Sequence, residues 1–141
     1  MVRCFAVILL ALSLAGCSVP GAGGAPEPLY IEGLEFENRS SSPISSIQLL
    51  VPVTGNFVAC GRIDPGARCA ARFPDVAYSG HPIEVKWIQG NAEWSTGQTS
   101  PEISADVRAA GTAQVLVVVL APGSAGVLLV PGQGADSVRT P

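Results

Sequence analysis

Apolar residues spaced two apart, rather than three or four apart, restrict this chain more than any other feature. Leu34 and Phe36 alternate with Glu35 and Glu37. Ile47, Leu49, Val51 and Val53 alternate with Gln48, Leu50 and Pro52, and Ile83, Val85 and Trp87 with Glu84, Lys86 and Ile88. Successive side chains of a strand point to opposite faces, so each run predicts a strand with one face in a core and the other toward solvent. Ile103, Ala105 and Val107, set against Ser104, Asp106 and Arg108, predict a weaker strand of the same kind. After the first sixteen residues no stretch keeps the i, i+3, i+4, i+7 spacing of an amphipathic helix for long enough to form one. Turn residues punctuate the runs at Asn38 to Pro43, Thr54-Gly55-Asn56, Asp64 to Gly66, Ser79-Gly80, Gly90-Asn91, Gly97 and Gly111. Residues 29–130 are therefore expected to form one all-β domain, an antiparallel sandwich of seven to nine strands.

The last two apolar runs differ from the others. Ala113 to Leu120 contains VLVVVL, apolar on both faces, and Val127 to Val130 follows after APGSAG. Two readings stand. The pair is a central hairpin covered on both faces, or it is an exposed edge that docks on a partner. The central reading is preferred, because six exposed apolar residues without charge, proline or glycine would invite aggregation.

The chain opens with MVRCFAVILLALSLAGCSVP. Arg3 is followed by eleven uncharged residues, Phe5 to Ala15, too few to span about 30 Å of hydrocarbon as a helix but suited to a secretory signal. Leu14-Ala15-Gly16-Cys17 resembles the lipobox of bacterial lipoproteins at all four positions. That resemblance implies a diacylglyceryl thioether on Cys17, cleavage after Gly16 and acylation of the new amine with a palmitate-type chain. Residues 1–16 would be the signal peptide, and the mature protein would be anchored to a membrane without crossing it. Ser18 to Pro28 carries three prolines and three glycines, so residues 17–28 read as a lipidated tether holding the domain on the order of 20 Å from the bilayer. Ser18, where an aspartate would signal inner-membrane retention, implies the outer membrane, with the domain in the periplasm. Residues 131–141 read as a disordered tail.

With Cys4 lost and Cys17 lipidated, Cys60 and Cys69 remain in an oxidising compartment and are expected to pair. Between them Asp64-Pro65-Gly66 has the chemistry of a type II turn, proline pre-setting the second position and glycine accepting positive φ at the third. A disulfide across the arms of a hairpin is expected, with a bulge or an irregular loop because perfect register would place Cys60 opposite Ala71.

Without Arg3 the chain keeps seven basic and eleven acidic residues in no like-charge run, which provides no electrostatic footprint for nucleic acid. The one histidine, His81, precedes Pro82 at a strand start and lacks an accompanying G-x-S-x-G. Glu35 and Glu37 share the polar face of one strand. No metal-binding or nucleotide-binding motif is present, and no cofactor is expected. Among the aromatic residues, Trp87 falls on the core face of its run, whereas Trp94, in NAEWSTGQ, is read with equal weight as a core ring or as one that is exposed or lines a groove.

Segments IEGLEFENRSSSPISSIQLLV and IDPGARCAARF, within Ile31 to Phe73, loosely resemble the immunoglobulin-like domains of envelope lipoproteins. The resemblance implies a sandwich fold and an envelope location, with no shared catalytic site. The function expected from the whole reading is a non-catalytic, lipid-anchored accessory module that meets an envelope protein partner. The alternative is a small inhibitor or a glycan- or peptide-binding lipoprotein, with Trp94, Asp64, Pro65 and Gly66 as its contacts.

Overall fold

The computed structural model describes residues 27–73 and 77–132; the expected signal peptide, Cys17 and almost all of the expected tail lie outside them. The described chain is an all-β sandwich. One sheet contains β1 (Leu29–Asn38), β4 (Arg68–Ala71), β5 (Ala77–Tyr78), β8 (Thr112–Ala121) and β9 (Ser124–Pro131). The other contains β2 (Ile44–Val51), β3 (Asn56–Cys60), β6 (Ile83–Gln89) and β7 (Ala92–Thr99). Strand order is β4-β1-β8-β9 in the first sheet, with β5 following β4 along the same edge of β1, and β3-β2-β6-β7 in the second.

Alternation sets which side chains meet between the sheets. Phe36, Ile47, Val85, Val117 and Val119 are wholly buried, and Leu34, Leu49, Ile83 and Trp87 nearly so. β1 keeps Leu29 and Ile31 inward together with Leu34 and Phe36 because its register shifts between Ile31 and Gly33, Glu32 being the extra residue. All strand pairs are antiparallel except one: β1 and β8 run parallel, an arrangement that the expected antiparallel sandwich did not include.

Two local expectations are corrected. Ile103 to Arg108 does not form a strand; Ala105–Ala110 is a short helix, α1. Ser104 caps it by accepting from the Val107 amide, and Gly111 ends it at φ 70°, donating to the Val107 and Arg108 carbonyls. Val107 alone of this helix enters the core, so one apolar residue satisfied both templates while the end signals decided between them. Val53 was expected to continue β2, but the strand ends at Val51 and Val53 is exposed in the following turn. β9 runs to Pro131, which stands opposite Ala113.

Cys60 and Cys69 form the expected disulfide, with Cα atoms 6.4 Å apart. It does not join two arms of a hairpin. After β3 the chain leaves one sheet for the other: Ile63 exchanges backbone hydrogen bonds with Ile44 of β2, and the Ala67 carbonyl and Gly66 amide then bond to Asn38 of β1. Because of this crossing, Cys60 lies on an edge of one sheet and Cys69 on an edge of the other, and the bond clasps the two sheets together along that side.

Beside the crossing sits a buried polar cluster. Asn38, with no exposed surface, donates to the Ser42 and Ile63 carbonyls and accepts from the Ser40 amide and hydroxyl. Gln89 donates to the Ser40 and Ser42 hydroxyls and accepts from the Trp87 indole. Polar atoms removed from water cost free energy unless paired, and here these side chains tie the β1–β2 turn to the crossing segment and to β6.

Candidate functional site

The sandwich has two unlike sides. At the β3/β4 side the disulfide joins the sheets; at the β7/β9 side no covalent link exists among the described residues, and the two strand edges flank a groove of about 360 Å³. Ser95, Thr96 and Thr99 line it from β7, and Gly123 to Val127 from the β8–β9 turn and β9. β7 is irregular there. Its register against β6 shifts between Glu84 and Lys86, Gly97 has φ 65°, and the Thr96 hydroxyl takes the place of a carbonyl in accepting from the Val85 amide.

Trp94 faces inward beneath this side, opposite Trp87 in the β6–β7 ladder. Its ring is half-buried against the core, under the β8–β9 turn, where a Cβ on Gly123 would come within 2.8 Å of it. Gly123 has φ 75°, so both the turn and the ring favour glycine there. The ring therefore forms part of the wall closing the core and does not stand exposed. Its buried indole N–H has no acceptor.

The Asp64-Pro65-Gly66 turn forms as its chemistry predicts: the Ala67 amide donates to the Asp64 carbonyl at 3.0 Å, and Gly66 has φ 77°. Its side chains are exposed and Asp64 pairs with Arg62, but its backbone is fastened to Asn38. Trp94 and this turn lie on different sides of the molecule, one at β7/β9 and the other at β3/β4, so they do not make one surface.

Pairing of β8 with both β1 and β9 places Val115 to Leu120 centrally in its sheet. Cover on both faces was expected and is only half realised. Val115, Val117 and Val119 enter the core, while Leu116, Val118 and Leu120 point outward beside Leu128 and Val130 of β9. Val118 is buried among its outward neighbours, whereas Leu120 and Leu128 remain more than half exposed. An apolar stripe thus runs along β8 and β9.

On the same outer face β1 and β4 carry charge. Glu37 accepts from Arg39 at 2.8 Å and 3.0 Å and lies 3.4 Å from Arg68, which also holds Glu35. The hydrogen bond from Arg39 holds the Glu37 carboxyl below its ordinary range against the opposing effect of burial.

His81 lies at one end of the sandwich, half-buried, its ring edge-on to Tyr78 and its Nδ1 3.4 Å from the Ser79 hydroxyl. Tyr78 donates to the His81 carbonyl, and burial raises the Tyr78 phenol above its usual pKa. Beside them is an apolar cavity of about 30 Å³ between Ile31, Leu49, Val51 and Leu129, room for little more than one water-sized molecule.

No protein-family model matches the chain. No curated protein matches it either. It is similar to a solved structure described as the NMR structure of the protein from Eubacterium rectale, at 14% identity over 82% of this chain and 99% of that chain, with a TM-score of 0.43. A likeness of that degree carries no argument about function.

Proposed function

We propose that the protein is a lipid-anchored, non-catalytic β-sandwich of a bacterial cell envelope, acting as a protein-interaction module on the periplasmic face of the outer membrane. The observation that carries this reading is the Cys60–Cys69 disulfide taken together with Leu14-Ala15-Gly16-Cys17. A disulfide is at home in an exported protein, and the lipobox resemblance supplies both the export signal and a use for Cys17. The first strand begins at Leu29, so the proline- and glycine-rich segment stands between the acylated cysteine and the folded domain.

Interaction is favoured over ligand binding by where the accessible apolar surface lies. Leu120 on β8, and Leu128 and Val130 on the neighbouring edge strand β9, are exposed on one face of the sheet. The contacts expected of an inhibitor or glycan binder do not form one surface: the Trp94 ring is under Gly123 at the β7/β9 side, and the Asp64 to Gly66 turn is exposed at the β3/β4 side.

Metabolic labelling with a palmitate analogue tests the anchor. The wild-type chain should take up label and run as the shorter processed form, and Cys17→Ala should lose label and persist as precursor. Normal labelling and processing of Cys17→Ala would sink the proposal.

A further inference from the structure

β9 is bonded to β8 on one side, and among the described residues no strand pairs with its other side. One contact identifies the backbone groups left over. Ala113 stands opposite Pro131, and the Gly132 amide donates to the Thr112 carbonyl at 2.9 Å. A bond placed one residue outside a facing pair makes it the kind in which both residues turn their own N–H and C=O away from each other. Alternation along the ladder then directs Gly126, Leu128 and Val130 toward β8. Ala125, Val127 and Leu129 direct their backbone groups to the open edge. Pro131, with no N–H, takes the next outward position, where β8 loses nothing by it.

Exposed edges are usually blunted by a charge, an internal proline or a bulge. β7 has such a bulge at Thr96 and Gly97, whereas the outward run from Ala125 to Leu129 has no such device. No charged residue occurs between Arg108 and Asp136. Among the described residues, the groove leaves the edge open beside Ser124 to Val127, and α1 is the other element that comes close to β9.

We infer that β9 is the contact of a two-fold dimer of this chain, in which the β9 strands of two copies pair antiparallel about Val127. In that register Ala125 faces the partner's Leu129 and Val127 faces its own copy, so the outward groups of both strands are satisfied together. On the outer face Leu128 falls opposite the partner's Gly126. A Cβ at Gly126 would have no atom within 4 Å, so there is open space for the leucine to cover. Any charge near a two-fold axis meets itself, and this strand has none. The register therefore suits a second copy, and it joins two four-strand paths into one continuous eight-strand sheet. An edge of this length buries less than the roughly 1,200–2,000 Å² of stable complexes, so the dimer is concentration-dependent. The inference stands on the edge geometry and does not depend on the lipid anchor.

Sedimentation velocity of the full chain in density-matched detergent, over a hundredfold concentration range, tests it with Leu128→Lys, Leu128→Glu and an equimolar mixture of the two. Leu128 is 52% exposed, so neither variant should change the far-UV circular dichroism or thermal midpoint of the monomer. The wild-type chain should show a monomer–dimer equilibrium, and each variant alone should dimerise about tenfold more weakly because like charges then stand across adjoining strands. The mixture should recover affinity, since opposite charges meet across the axis. A wild-type chain that stays monomeric overturns the inference, as does undiminished dimerisation of both variants. Protection of the Ala125, Val127 and Leu129 amides only on addition of a different protein would also overturn it and assign the edge to a foreign strand.

Discussion

Replacing Asn38 by aspartate changes one atom type in the most enclosed polar site of the protein and should make stability depend on pH with a known sign. Asn38 has no exposed surface, and its amide nitrogen donates to the Ser42 and Ile63 carbonyls at 2.9 Å each. Its oxygen accepts from the Ser40 amide at 3.0 Å and hydroxyl at 2.6 Å. Aspartate keeps the accepting oxygen and loses both donors. Protonated, it restores one of the two donations and loses the other, at about 0.5–1.5 kcal/mol, because the Ile63 carbonyl keeps the Ile44 amide and the Ser42 carbonyl keeps the Ser40 hydroxyl. Ionised, it faces two carbonyl oxygens as an unpartnered buried charge, at about 3–5 kcal/mol. The folded state therefore holds the proton, and the carboxyl titrates above the ~3.9 of an unfolded aspartate. A folded pKa raised in this way leaves the loss smallest below the unfolded pKa. The loss grows, at about 1.4 kcal/mol per pH unit, as pH rises toward the folded pKa, above which it levels off. Urea unfolding with the disulfide intact, each variant against wild type at the same pH, should find Asn38→Asp costing about 0.5–1.5 kcal/mol at pH 3.5 and about 3–5 kcal/mol at pH 7. Asn38→Ala, with nothing to titrate, should cost the same at both. An equal loss for Asn38→Asp at the two pH values, or a larger one in acid, would refute the reasoning.

Replacing Cys60 and Cys69 together by serine opens a link between residues 9 apart and should lower stability by about 2.5 kcal/mol while leaving the β-sheet circular dichroism in place; an unchanged urea midpoint would show that the clasp contributes nothing. Gly123→Ala should cost about 1–3 kcal/mol and shift Trp94 fluorescence, because a methyl group there meets the indole at 2.8 Å on a backbone at φ 75°; a neutral effect on both would mean the turn moves freely over the ring. Glu37, whose carboxyl is held low by Arg39, stabilises the fold at pH values above about 4.5, and that stabilisation is lost as pH falls through its lower folded value. Glu37→Gln should therefore reduce the acid dependence of the unfolding midpoint, and an identical pH profile would count against the ion pair.

Much of the fold was legible because a strand buried on one face leaves a strict mark. Ile47, Leu49 and Val51, like Ile83, Val85 and Trp87, went inward as their spacing requires. Where a run was short, spacing alone could not decide: Val107 fits an inward strand position and an inward helix position equally, and Ser104 and Gly111 settled the matter from outside the run. β7 was illegible, since an edge strand of small polar residues around a single tryptophan has almost no alternation to read. The cysteine pair was legible from compartment and count, yet its path was not, because Asp64-Pro65-Gly66 specifies a turn without specifying whether its arms pair with each other. Ile63 bonding to Ile44 decides that, and such a contact between distant segments leaves no local trace. Asn38 illustrates the same limit in the candidate network: asparagine suits an exposed turn and a buried hub by the same chemistry, and only the packing of Gln89 and Ser40 around it distinguishes them. At the candidate contact, β9 read as apolar, but whether its edge is covered is a property of strand order.

The parallel pairing of β1 with β8 imposes an order on how the protein comes into being. Leu34 lies beside Val115, which follows it by 81 residues, so β1 cannot find this long-range neighbour until those residues have been made. Until then one flank of β1 is an open template, and Val115 to Leu120, made much later, must reach it before it reaches another nascent chain. A polypeptide halted at Ala110 lacks β8 and β9 and therefore the middle of that sheet, however well its earlier strands pair. Synthesis and folding are in this way separated in time, with the N-terminal strand held in waiting for the C-terminal one.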